Sequence, residues 1–114
     1  MRILRGCGID QPEQIRALEC LALFQQLGSD GQASQELDFV ADNLARLTGD
    51  EMYEHLAYAS KQHHLVDHQG YYFVAQPLPI AAFLGAKRLD LLRVNTVLNF
   101  IEKAPSQLRQ SFLD

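Results

Sequence analysis

The 114-residue sequence lacks tryptophan, has only two cysteines and has no excess of positive charge, since its formal net charge is −4 at pH 7. Proteins that neutralise many phosphates carry a basic excess, so this composition weighs against non-specific nucleic-acid binding. The cysteines lack a CxxC spacing, which excludes the common zinc and redox motifs. Cys20 lies in an apolar helical pattern, and we expect Cys7 and Cys20 to be free thiols rather than a disulfide or a metal pair.

Long apolar runs are also absent. No run reaches the roughly 18 residues of a membrane-spanning helix, and the N-terminal sequence MRILRGCGID lacks the apolar segment of a signal peptide. We therefore expect a cytoplasmic protein without a membrane partner. The length of 114 residues and the 47% of hydrophobic residues allow one hydrophobic core. A chain of this length is too short for two domains.

Sequence motifs of nucleophilic catalysis and nucleotide binding are missing as well. The chain has no GxSxG nucleophile elbow, no phosphate-binding loop and no dinucleotide fingerprint. Three histidines, His63, His64 and His68, lie within six positions, but zinc would require His55 or Asp67 to join them. Alternatively, these histidines lie at the C-terminal end of a helix and at a hairpin tip. We expect no catalytic residue, no metal ion and no cofactor.

The first part of the chain has the pattern of amphipathic helices. Asp10 is the expected N-cap of a first helix, with Pro12 in its opening turn and Gly28 as its C-terminal stop. A strand before it, over residues 2–4, is an open alternative to an irregular lead-in. After a loop rich in turn formers, Ser34 is expected to cap a second helix that runs to about Leu47.

The stretch from residue 48 to residue 75 organises the predicted fold. Thr48 and Glu51 have the spacing of a capping box, which predicts a helix to about Lys61. The inward face of this helix is expected to carry Met52, Leu56 and Ala59. A hairpin follows, with residues 67–70 as its turn, because Gly70 tolerates the left-handed backbone that a tight turn requires.

The remaining sequence is helical. Pro77 and Pro79 end the second strand, and Pro79 suits the first turn of the next helix. Gly85 is expected to break or kink this helix. Apolar residues then recur in three groups, which are Ile80, Phe83 and Leu84; Leu89, Leu91 and Leu92; and Val94, Leu98 and Ile101.

Pro105 marks a boundary before a last short helix, expected over residues 106–113. A homodimer that covers its apolar residues Phe112 and Leu113 is an open alternative, because they end the chain without a cap or a polar tail. The same ending predicts that the chain is a segment of a longer protein.

The order of two helices, a third helix and a hairpin predicts an α+β, mostly helical fold. We interpret it as a winged helix-turn-helix with a small β-hairpin wing and additional C-terminal helices. Residues 1–84 would form the winged-helix core, and residues 85–114 would form a C-terminal helical extension of the same compact domain.

Charge is unevenly placed along the chain. Residues 30–54 hold seven acids and one base, whereas residues 87–109 hold five bases and two acids. These halves can meet within one fold or between molecules. A basic stripe of Lys87, Arg88 and Arg93 beside the wing would favour DNA, whereas pairing with the acidic second helix would favour a protein contact.

A DNA-reading helix enters the major groove with its N-terminal part and uses Arg, Lys, Asn or Gln there. The corresponding part of the third helix carries Asp50, Glu51 and Glu54, which would repel phosphate. A winged-helix DNA-binding transcriptional regulator is therefore the alternative interpretation, and DNA is disfavoured as a partner.

Four passages between residues 16 and 84 resemble the winged-helix domain of STAND-type signalling ATPases, the class that includes NB-ARC proteins. They are LECLALF, ELDFVADNL, the helix over residues 48–61, and HHLVDHQGYYFVAQPLPIAAFL. The resemblance implies a non-catalytic regulatory module that couples an ATPase core to its surroundings through protein contacts. In many members of that family the end of the second wing strand carries a His-Asp pair whose His contacts nucleotide. The matching position here holds Gln76, which is followed by Pro77.

The predicted interaction surface combines the third helix with the wing. Its partner is expected to be protein, either a neighbouring domain of the same polypeptide or a homodimer partner. Its residues are Asp50, Glu54, Tyr58, Lys61, His68 and Gln76.

Overall fold

The computed structural model describes residues 11–62 and 64–112, without the side chains of Gln32, Leu78 and Gln107. The chain is α+β and mostly helical, with a small antiparallel sheet. In chain order the elements are α1 (Pro12–Leu21), β1 (Leu27–Gly28), α2 (Ser34–Val40), α3 (Gly49–Gln62), β2 (Val66–Gln69), β3 (Tyr72–Ala75), α4 (Leu78–Leu91), α5 (Val94–Lys103) and α6 (Ser106–Ser111). A 3₁₀ turn at Gly31–Ala33 precedes α2, and a π-helical segment at Ala41–Ala45 continues it.

Strand β1 was not predicted, and the first helix ends at Leu21 rather than at Gly28. The sheet order is β1-β3-β2, and Leu27 of β1 lies opposite Phe73 of β3. A side chain at position 28 would overlap the carbonyl oxygen of Ala33. Gly28 is therefore required because the 3₁₀ turn before α2 approaches β1 closely, and its interpretation as a helix stop was wrong.

The starts of α1 and α2 differ from the prediction. Gln11 is the residue before α1 and makes no side-chain cap, while the expected cap Asp10, like Cys7 and the strand considered at residues 2–4, lies outside the described residues. The Ser34 hydroxyl donates to the carbonyl oxygen of Gly31 at 2.8 Å and does not cap the helix. The helical path ends at Arg46, which has a left-handed backbone with φ of 56°.

The start of α3 confirms the predicted capping box. The Thr48 amide donates to Glu51 Oε1 at 3.0 Å, and the Glu51 amide donates to Thr48 Oγ1 at 3.1 Å. These bonds satisfy donors that a helix start leaves without partners. The inward residues Met52, Leu56 and Ala59 are fully buried, as predicted.

The hairpin is confirmed, but its turn is shorter than predicted. Gly70 and Tyr71 form the turn, and Gly70 has φ of 59° as expected. The strands pair up to Gln69 and Tyr72, so His68 lies in β2 opposite Phe73 and not at the hairpin tip. A two-residue turn with positive φ suits the twist of the strands, which lets the pairing extend to the turn itself.

The predicted break at Gly85 was wrong, because α4 is continuous from Leu78 to Leu91. A Cβ at Gly85 would lie 2.9 Å from the carbonyl oxygen of Ala22. The glycine therefore allows α4 to approach the C-terminal end of α1 closely. The predicted boundary between residues 84 and 85 falls within this helix.

An aromatic cluster joins the two ends of the described chain. The ring centroids of Phe24 and Phe100 are 5.7 Å apart, and those of Phe24 and Phe112 are 5.4 Å apart. Phe112 thus packs within its own chain, and the homodimer partner stays a prediction. Leu113 lies outside the described residues.

We predict that two neighbouring residues of α5 differ sharply in their effect on stability. Phe100 is 1% exposed and Leu98 is 58% exposed. Phe100→Ala should lower the free energy of unfolding by about 3–5 kcal/mol through the lost burial and the cavity. Leu98→Ala is the matched control and should change it by less than about 0.5 kcal/mol. Chemical denaturation measures both values, and equal losses would contradict the burial of Phe100.

Candidate functional site

The outer face of α3 holds four of the six predicted interaction residues. Asp50, Glu54, Tyr58 and Lys61 are separated by four, four and three positions, so they share one side of the helix. All four are exposed. We call this set the α3 face; its N-terminal half is acidic.

The other two predicted residues belong to the wing. His68 Nε2 lies 2.9 Å from Asp30 Oδ2 and 3.3 Å from Ser29 Oγ, and its ring centroid is 4.4 Å from that of Phe73. His68 therefore ties β2 to the loop after β1. Sequence spacing did not reveal this contact, because Asp30 and His68 lie far apart along the chain.

Gln76 connects the two ends of the wing. Its side-chain amide donates to the carbonyl oxygen of His64 at 3.0 Å, and its backbone amide donates to that of Leu65 at 2.9 Å. Of the clustered histidines, His63 lies outside the described residues. Within residues 11–62 and 64–112, no group of three or more His, Cys, Asp or Glu residues is arranged to hold a metal ion.

A buried ion pair joins α1 to α4. Arg88 donates to Glu19 Oε1 from Nη2 at 2.6 Å and from Nε at 3.2 Å, and Glu19 is only 1% exposed. The second oxygen, Oε2, is buried without a hydrogen-bond partner among the described residues. The neighbouring Cys20 is a free, buried thiol, and burial raises its pKa to about 12.

Next to this pair lies a polar cleft of about 300 Å³, bounded by α1, the π-helical segment and the junction of α4 and α5. We call it the arginine cleft. Its charged and hydroxyl-bearing lining residues are Arg16, Arg46, Arg88, Arg93, Asp42 and Thr96. Sequence reasoning missed it because these residues come from separate elements that only the fold brings together.

Neither of the two arrangements considered for Lys87, Arg88 and Arg93 is observed as a whole. Arg88 pairs with Glu19 of α1 and not with the acidic second helix. Arg88 and Arg93 both line the arginine cleft, whereas Lys87 is exposed and does not line it. These three bases therefore do not form one stripe.

Two apolar surfaces also lie on the described part of the chain. Val94, Leu98 and Ile101 are all exposed, so the amphipathic helix α5 turns its regular apolar stripe outward and buries Phe100. Leu91, the last residue of α4, is also exposed. A separate cleft of about 620 Å³ lies between the end of α1, β3 and α4, and small residues such as Ala22, Ala81 and Gly85 line it.

Comparisons with known proteins do not assign the chain to a family. No protein-family model, no curated protein and no solved structure matches it. None of the helices in the described part of the chain combines the length and apolarity needed to cross a bilayer.

We predict that the Asp30 carboxyl titrates below its ordinary pKa of 3.8. The Ser29 hydroxyl and then His68 hold the pKa of Asp30 down by hydrogen bonding to the carboxylate. A folded-state pKa below the unfolded value stabilises the fold above pH 3.8, and this contribution is lost as the pH falls through the folded pKa. Carbon-detected NMR of the Asp30 carboxyl measures the midpoint directly.

Ser29→Ala should raise that midpoint toward 3.8, because it removes the hydrogen bond that lowers the pKa of Asp30 most. Ser60→Ala is the matched control on α3 and should leave the midpoint unchanged. A wild-type midpoint at or above 3.8 would contradict the hydrogen-bonded geometry of Asp30.

Proposed function

We propose that this chain is a non-catalytic winged-helix module that regulates a larger signalling ATPase through protein contacts. The order of its elements supports the winged helix: α1, β1, α2 and α3 precede the β2–β3 hairpin, and β1 adds a third strand beside β3. In this interpretation the hairpin is the wing, α3 is the helix that follows the turn, and α4 to α6 are additions. The ATPase context comes from the resemblance of residues 16–84 to STAND winged helices.

The charges of α3 disfavour the alternative, a DNA-binding transcriptional regulator. Asp50, Glu51 and Glu54 are exposed in the part of the helix that would enter the major groove. A carboxylate there repels phosphate and releases no counterion. The exposed Lys61 lies at the other end of the helix.

The observation that carries the proposal is the composition of the α3 face. Two carboxylates, a tyrosine and a lysine are exposed on one side of a helix whose other side is fixed in the core. Tyrosine is enriched at protein interfaces, and complementary charge guides association. The expected partner is a positively charged protein surface, on a neighbouring domain or on another chain.

The nucleotide site of the proposed ATPase belongs to another domain. This chain has no phosphate-binding loop motif. At the position where relatives carry a nucleotide-contacting histidine, the Gln76 amide bonds to the carbonyl oxygen of His64. The module is therefore proposed to act through its surface and not through Gln76.

We predict that the α3 face contacts a basic protein surface in the cell. A photo-crosslinking amino acid at position 58 of the natural polypeptide should yield cross-links to Lys/Arg-rich peptides, identified by mass spectrometry. Adding Glu54→Lys should reduce their yield, because it replaces attraction by like-charge repulsion. The same amino acid at the exposed position 102 is the control for non-specific capture. Cross-links to nucleic acid, or equal yields at both positions, would overturn the proposal.

We predict no measurable binding to duplex DNA at moderate salt. Fluorescence anisotropy with a labelled duplex tests this, and the double variant Asp50→Lys/Glu54→Lys is the positive control. That variant should bind with an affinity that falls steeply with salt, because it places two cations where the groove would lie.

Tight, salt-dependent binding by the wild-type chain would instead support the transcriptional regulator. Lys61→Ala should then weaken the binding. It should also reduce the slope of the salt dependence by about one, the value for one lost phosphate contact.

A further inference from the structure

The arginine cleft is positively charged, although the protein as a whole is acidic. The chain has ten Lys and Arg residues and a net charge of −4, yet four arginines line this one cleft. Two carboxylates offset them, Asp42 in the lining and Glu19 in its pair with Arg88. Two positive charges therefore remain at the cleft.

Two of the guanidinium groups are held in place by the fold. Arg88 is anchored to Glu19 by two hydrogen bonds, and its side chain is only 15% exposed. Arg16 Nε donates to the carbonyl oxygen of Ala45 at 2.6 Å. Each anchored guanidinium retains further N–H donors, so donors are positioned before any ligand arrives.

The other two arginines, Arg46 and Arg93, are exposed at the rim. Arg93 also precedes the first residue of α5, and no side chain caps this helix start. Thr96, in the first turn, lines the cleft. The first-turn N–H groups of a helix lack intrahelical acceptors and carry partial positive charge, which adds to the attraction for an anion.

We propose that the arginine cleft binds the phosphoryl group of a small phosphorylated molecule. A phosphate monoester carries close to two negative charges at pH 7, which matches the two uncompensated positive charges. Planar guanidinium forks recognise phosphate oxygens in a bidentate manner. A monocarboxylate would leave one of these charges unbalanced.

The size of the cleft favours an ester over free phosphate. Its volume of about 300 Å³ lies at the lower end of the range for small-molecule sites and leaves room beyond the phosphoryl group. Asn43 also lines the cleft and donates from Nδ2 to the carbonyl oxygen of Phe39. Its Oδ1 and the Asp42 carboxylate are acceptors for a hydroxyl-bearing substituent. This site is independent of the protein contact proposed for the α3 face.

Calorimetric titration of the full chain with glycerol 3-phosphate, a small phosphate monoester, at constant ionic strength tests the proposal. We expect saturable one-to-one binding. The double variant Arg46→Gln/Arg93→Gln should weaken it about tenfold or more, because two charge-assisted contacts are lost. Lys103→Gln/Arg109→Gln is the matched control, since it removes the same charge from exposed positions outside the cleft. The control should retain wild-type affinity.

A second measurement does not depend on variants. Amide chemical shifts in the wild-type chain should change with glycerol 3-phosphate at Thr96 and Arg93 and should stay constant on the α3 face. Failure to saturate, equal weakening by both double variants, or equally tight binding of acetate would overturn the proposal. Tighter binding of a phosphoserine peptide than of glycerol 3-phosphate would overturn the proposal of a small free ligand and would indicate a phosphate carried by a protein.

Discussion

A buried ion pair constrains how α4 packs on α1. Glu19 is nearly inaccessible and receives both of its hydrogen bonds on one oxygen from Arg88. Removing one partner of such a pair leaves a buried charge and generally costs about 3–5 kcal/mol. Gly85 lies one turn before Arg88 and allows the same two helices to approach closely. The absence of a side chain at Gly85 and the ion pair of Arg88 with Glu19 thus determine how α4 packs on α1.

This pair also shapes the surface on which the proposed ligand would bind. Arg88 is held by α1 and lines the arginine cleft, so the constraint that orients α4 also orients one wall of the cleft. The junction of α4 and α5 supplies Arg93 and Thr96, and α5 is in turn held by Phe100 in the aromatic cluster. The exposed apolar stripe of α5 follows from the same geometry, because burying Phe100 turns Val94 and Leu98 outward.

Structural features that depend on residues close together in the sequence were predictable. Features that depend on contacts between residues far apart in the sequence were not. The capping box of Thr48 and Glu51 and the left-handed turn at Gly70 are determined within four residues. Gly28 and Gly85 were misinterpreted, because each is required by a carbonyl oxygen elsewhere in the fold. The α3 face follows from helical periodicity alone. The arginine cleft needs four separate parts of the chain, and no spacing rule joins Arg16 to Arg93.

Binding of a phosphoryl group would reinforce the central ion pair rather than compete with it. A guanidinium has five N–H donors, and Arg88 uses two of its nitrogens on Glu19. The donors that remain can serve a ligand while both bonds to Glu19 persist. A ligand that binds only the folded state stabilises it in proportion to its concentration over its dissociation constant. Occupancy of the cleft would therefore hold α1, α4 and the start of α5 together, while the α3 face stays available to a protein partner.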